Sequence, residues 1–164
     1  MIQLLIVFLI LLILGSGLFS ASETALFSLS PMQIQGFRKS DLESKKLVAK
    51  LLKSPRDLLI TLIMINVVMN ILIQNVVSNI FGVLSGWWLN VGVPLGLILT
   101  FGEFIPKSIG IANNARFAPK VSKFLWITSR AFLPIRSSLI RLTTFISRIL
   151  FFFLKKEEEI STDE

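Results

Sequence analysis

The sequence predicts an all-α integral membrane protein with three transmembrane helices and amphipathic juxtamembrane helices beside them. Three observations predict it. Hydrophobic residues make up 53% of the 164 and the mean hydropathy is +0.76, outside the range of ordinary soluble domains. Residues 1–22 carry no charged side chain, and neither does the stretch from Leu58 to Gly102. The 17 Lys and Arg fall into two blocks, seven between Arg38 and Arg56 and ten from Lys107 onward, as in loops held on one side of a bilayer.

The first span is expected at about 2–26. A cleaved leader would open with positive charge and have a shorter apolar core, whereas Met1 runs straight into a long apolar segment. Ser30-Pro31 then offers an N-cap and a first helical residue. Leu42, Leu47, Val48, Leu51 and Leu52 alternate with Lys45, Lys46, Lys50 and Lys53 at helical spacing, so the juxtamembrane segment 31–54 should be helical and amphipathic. Ser54-Pro55 should end it.

The second uncharged stretch is about twice the roughly 20 residues a crossing needs. Leu84-Ser-Gly-Trp-Trp-Leu-Asn-Val-Gly-Val-Pro94 breaks it, giving spans at about 58–80 and 91–111. Asn113-Asn114 marks the next break. Residues 119–154 are apolar but carry Lys123, Arg130, Arg141 and Arg148 at intervals of 7, 11 and 7, near multiples of a helical turn that suit one basic stripe. Arg130, Arg136, Arg141 and Arg148 would each be costly at mid-bilayer. The expectation is therefore interfacial helices broken at Pro134, with the stripe toward lipid headgroups. Residues 1–154 thus form a transmembrane domain, and the charged segment 155–164 reads as a linker, as though the chain were cut short of a further domain.

Positive charge near span ends marks the cytoplasmic side. The protein should sit in the cell membrane with its N-terminus and the 82–90 loop outside, Trp87 and Trp88 anchoring the outer interface, and its C-terminus in the cytoplasm. The net charge of +7 is accounted for by this bias toward anionic membrane lipid, and no nucleic-acid module is recognisable. With no His and no Cys, thiolate zinc sites, disulfides and Ser-His catalysis are excluded. No enzyme is expected. Nor is there a glycine-rich phosphate loop.

Chemistry is expected where polarity enters the spans. Of the ten acidic residues only Glu23 and Glu103 fall within or at the edge of a span, and intramembrane carboxylates are functional by default. Glu23 ends the polar run Ser16-Gly-Leu-Phe-Ser-Ala-Ser-Glu-Thr24, and Glu103 lies in Thr100-Phe-Gly-Glu-Phe-Ile-Pro-Lys107. Asn66, Asn70 and Gln74 share one face of the second span. Ser16 and Ser20, one turn apart, can point to one spot. Oxygen-only donors select hard cations, and magnesium wants six. Gly15, Gly17, Gly102 and Pro106 loosen helices at this depth. Pro106 has no N–H for the carbonyl of Gly102. Each residue also has a structural alternative: small residues pack helices, Asn and Gln join them, Glu103 can pair with Lys107, and Glu23 can meet the basic loop or the Ser30 helix.

At these residues the sequence resembles the CNNM/CorC magnesium transporters. The resemblance rests on Phe19-Ser-Ala-Ser-Glu-Thr-Ala-Leu26 with Ser28-Leu-Ser30, on Asn66 and Asn70, and on Gly102-Glu-Phe-Ile-Pro-Lys107. It covers most of residues 10–120 in order and spacing. It implies a homodimer of three-span domains that binds dehydrated Mg2+ in each protomer and exports it against Na+ entry. The implied ligands are Ser16, Ser20, one or both of Asn66 and Asn70, the Gly102 carbonyl and Glu103. It further implies cytoplasmic CBS-pair domains in a longer chain. A different function class, a membrane anchor or sensor for such domains with at most a structural ion, fits the linker-like tail.

Overall fold

A computed structural model describes residues 2–81 and 86–161. Every regular element among them is helical. The first crossing, α1, runs Ile2–Phe27. Two short helices follow, α2 at Pro31–Lys39 and α3 at Glu43–Leu51. The second crossing, α4, is Pro55–Phe81. The third is composite, with α5 at Trp87–Leu97, a π-helical segment at Ile98–Phe104 and α6 at Ile105–Ala112. Beyond it come α7 at Asn114–Ala131 and α8 at Leu133–Ser161. Among the described residues three helices, of 26, 27 and 25 residues, are long and apolar enough to cross a membrane, matching the expected fold class.

Local chemistry sets the boundaries. The Ser30 hydroxyl accepts from the Gln33 N–H at 3.2 Å while the Gln33 carboxamide oxygen accepts from the Ser30 N–H at 2.8 Å. This reciprocal cap satisfies two donors that the first turn of α2 leaves open. Lys45 lies 5.6 Å over the Phe37 ring and ties α3 back to α2. Pro55 starts α4 as well as following α3, since the Leu58 N–H donates to the Ser54 carbonyl, and proline costs nothing at a first helical position.

Other boundaries differ from expectation. Trp87–Asn90, expected in the outer loop, is helix, and Pro94 lies inside α5. Of the expected outer loop, residues 82–85 lie outside the described residues. α7 begins at Asn114 rather than at 119, directly after the break at Asn113. The basic stripe is divided, Lys123 and Arg130 lying on α7 and Arg141 and Arg148 on α8, so it does not run along a single helix. The break falls at Phe132, two residues before Pro134. α8 continues through Lys155–Glu159 to Ser161, into the segment read as a linker; residues 162–164 lie outside the described residues.

Residues 1–129 and 130–164 form two compact units. In the first, α1 is central and packs on α4, the π-helical segment and α6. Away from α2 and α3 its core is aliphatic: Leu12, Ile73, Val76 and Val77 are buried, with Leu9, Leu97 and Ile98 against them. Toward α2 and α3, small residues bring backbones together. A β-carbon on Gly110 would stand 2.5 Å from the Ala21 carbonyl oxygen, and one on Gly17 would stand 3.0 Å from Pro106 Cγ and 3.1 Å from the Phe101 oxygen. This is the close approach that small residues permit between membrane helices. α7 lies alongside, with the Phe124 ring tilted against Phe19 of α1 at 5.2 Å between centroids and Ala118, Val121 and Leu125 buried.

Candidate functional site

Most hydroxyls and amides on these helices are spent on their own backbone. Ser22 donates to the Leu18 carbonyl, Thr24 to Ser20, Ser28 to Ala25, and Thr61 to Asp57. Asn75 and Asn79 likewise donate to Ile71 and Asn75. Ser16, Ser20, Asn66 and Asn70 do not follow this pattern. Their side chains turn toward neighbouring spans or stay without a partner, which separates them from polar residues that merely tolerate a helix.

Ser16 and Asn70 join all three spans. Ser16 Oγ, on α1, donates to Asn70 Oδ1 on α4 at 3.4 Å, and Asn70 Nδ2 donates to Glu103 Oε1 at 3.5 Å. Both distances exceed the usual ranges, about 2.5–3.0 Å for O–H···O and about 2.7–3.2 Å for N–H···O, so these polar groups lie close together without saturating one another. Gly102 brings its backbone to the same place, because a β-carbon there would stand 3.2 Å from Ser16 Oγ. Ser20, one turn along α1, is fully buried, and its Oγ has no hydrogen-bond partner. Leaving such a hydroxyl unpaired costs about 1–3 kcal/mol. Ser16, Asn70, Gly102 and Glu103 therefore come together, and Ser20 lies one helical turn further along α1.

Asn66 separates from them. Its Nδ2 donates to Glu23 Oε2 at 3.4 Å, and its Oδ1 is buried with no partner. Glu23 lines a hollow of about 590 Å³ with Thr24, Ser28, Leu59 and Lys107. The two asparagines thus serve two stations, one joining three spans and one joining two. Gln74, four residues further along, is exposed and joins neither.

Glu103 also makes its structural alternative: Lys107 Nζ lies 3.7 Å from Oε2, with the Lys107 and Glu103 side chains 43% and 36% exposed. The carboxylate is therefore shared, one oxygen toward Asn70 and one toward Lys107, and it sits at the rim of the cluster rather than deep within it. Among the described residues no three of His, Cys, Asp and Glu come together. The cluster has one carboxylate, and its remaining donors are neutral oxygens.

The backbone supplies a feature the sequence did not announce. The Ile105 N–H donates to Thr100, five residues back, and Pro106, which would continue the π pattern by donating to Phe101, has no N–H. The Phe101 carbonyl has thus lost its donors in both registers, while Gly102 has lost its α-register donor. Freed carbonyls at transport depth are candidate cation ligands. The Gly-x-x-x-Pro spacing signalled a broken helix, but only the observed π register brings in Phe101, whose oxygen faces Gly17.

The family model of the cyclin M (CNNM) transmembrane N-terminal domain matches residues 6–164. The chain belongs to the CNNM family. Among curated proteins, a DUF21 domain-containing protein of Arabidopsis thaliana is 32% identical over 126 residues, covering 72% of this chain. The CNNM domain described here spans 29% of that relative's length.

Proposed function

We propose that this CNNM domain carries Mg2+ across the cell membrane, exporting it against Na+ entry, with the N-terminus outside and the C-terminus in the cytoplasm. The supporting observation is the convergence of Ser16, Asn70 and Glu103 from three spans beside the loosened backbone at Gly102, with the buried, unpartnered Ser20 hydroxyl one turn along α1. Two hydroxyls, an amide oxygen, a carbonyl and a carboxylate offer five of the six oxygens that Mg2+ arranges octahedrally, leaving one place for water. Stripping water from a divalent ion is expensive, and the charge of Glu103 offsets part of that cost. A cation binding here competes with Lys107 for the carboxylate. Asn66 and Glu23, at the adjoining station, lie beside the ion's path rather than in its ligand set.

The test is Mg2+ flux in proteoliposomes. The wild type should transport and Glu103→Gln should not, with the variant's fold checked by size exclusion; wild-type flux in a folded Glu103→Gln protein refutes the site. Labelling of a cysteine at Ser44 only from the inner face checks orientation. A second reading is an anchor for further domains, supported by the CNNM domain's being a minor part of its Arabidopsis relative. It requires Mg2+ binding or none, without flux. Homodimerisation, with the exposed faces of the spans buried between two copies, belongs to the transport proposal.

A further inference from the structure

We propose that the hollow between α3 and α7 binds the phosphate of an anionic phospholipid. It measures about 640 Å³ and is lined by Lys46 and Lys50 of α3 and by Lys120 and Lys123 of α7, with Trp126 and a single carboxylate, Glu43. Four ammonium groups against one carboxylate leave an excess of positive charge. Lys46 and Lys50 also border an adjoining hollow with Arg38 and Lys53, where no acid enters.

Helix geometry explains the assembly. Lys46 and Lys50 are four apart and Lys120 and Lys123 three apart, so each pair shares a face. Lys45, adjacent in sequence, points away onto Phe37. Like charges so spaced repel by a few tenths of a kcal/mol per pair, and among the described residues none of the four is in an ion pair. The arrangement is unfavourable alone and is relieved by an anion. Beneath the lysines the packing is closed, with Val48, Ala49, Val121 and Ser122 buried and the Ser122 hydroxyl donating to the Pro119 carbonyl at 2.8 Å.

A lipid fits better than a soluble anion for two reasons. The walls are partly apolar, through Leu47, Pro119 and Trp126, where acyl chains can lie. Under the proposed topology the hollow also faces the inner leaflet, whose anionic lipids attract such clusters. The inference rests on that topology but not on the ion site.

The experiment is native mass spectrometry of the detergent-purified protein titrated with phosphatidylglycerol, phosphatidylcholine or inorganic phosphate. Wild type should retain phosphatidylglycerol in preference to phosphatidylcholine. A quadruple variant, Lys46→Gln, Lys50→Gln, Lys120→Gln and Lys123→Gln, should bind it about tenfold more weakly or worse. An equally discharged variant, Lys39→Gln, Lys45→Gln, Arg56→Gln and Arg116→Gln, should bind as wild type. Equal loss in both variants would mean diffuse charge attraction and overturn the site. Phosphate displacing the lipid at millimolar level would assign the hollow to a soluble anion and overturn the lipid. Should the quadruple variant not fold, Lys50→Gln with Lys123→Gln must show a partial loss, and wild-type affinity in that pair overturns the proposal. Because binding is read without flux, failure here is distinct from failure of the transport reading.

Discussion

Asn66 and Asn70 lie one turn apart on the same helix, yet they enter different structures. Asn70 stands between Ser16 and Glu103 and brings three spans to one point, whereas Asn66 meets only Glu23 and joins two. All three contacts are long, and a buried oxygen with no partner lies at each station, Ser20 Oγ one turn from Ser16 and Asn66 Oδ1. The distinction lies in the backbone opposite. Asn70 faces the segment where Gly102 and the π-helical turn open the third span, so carbonyl oxygens are at hand there. Chemically identical side chains differ in prospect because of the main chain they face.

The largest expected effect is at the carboxylate. Glu103→Gln keeps shape and one oxygen but removes the charge, and Mg2+ flux should fall to background. Were Glu103 only the partner of Lys107, then Lys107→Met would do similar harm and the double variant would recover function. A ligand predicts no recovery, so the double-variant cycle decides between them. Next comes the asparagine pair. Asn70→Ala should lower flux roughly 10–100-fold, while Asn66→Ala should cost less than about tenfold; equal losses, measured side by side in proteoliposomes, would merge the two stations into one site.

A third variant separates the packing that supports both stations from the stations themselves. Gly110→Ala must push α6 off the Ala21 carbonyl and should destabilise by about 1–3 kcal/mol. Gly96→Ala, where a β-carbon would meet nothing within 4 Å, should be neutral or slightly stabilising in the same thermal-unfolding assay. Unchanged stability of Gly110→Ala would show that the contact yields freely. The smallest effect is expected far from either station. Ser30→Ala removes the cap of α2 at a cost of about 1 kcal/mol, lowering the thermal midpoint while leaving flux unchanged.

Much of this was legible in the residues. Uncharged runs fixed the three crossings, and Ser30-Pro31 and Asn113 marked boundaries through local turn chemistry. Trp87–Asn90 fell in the expected loop because Gly, Asn and Pro are breakers in water, whereas membrane helices tolerate them. The division between Asn66 and Asn70 was not legible at all. A spacing of four puts both on one face, and only the placement of α1 and the third span against α4 decides which neighbour each one meets. Nor did sequence distinguish a simple kink at Pro106 from a widened helix, since proline removes one donor in either case.

The widened segment from Ile98 to Phe104 has a geometric consequence for the whole third span. An α-helix advances about 100° per residue, and a π turn absorbs one residue without completing the extra step. Everything beyond Phe104 is therefore out of phase with everything before Ile98 by about that angle, so a wheel drawn through the whole span assigns Lys107 and Gly110 to the wrong sides. The third crossing behaves as two rods joined at a phase slip. Removing one residue between Ile98 and Phe104 would return the segment to α-helical register and leave Gly110 against Ala21, whereas removing one residue from the α-helical stretch before Ile98 would turn the far end by about 100° and carry Gly110 away.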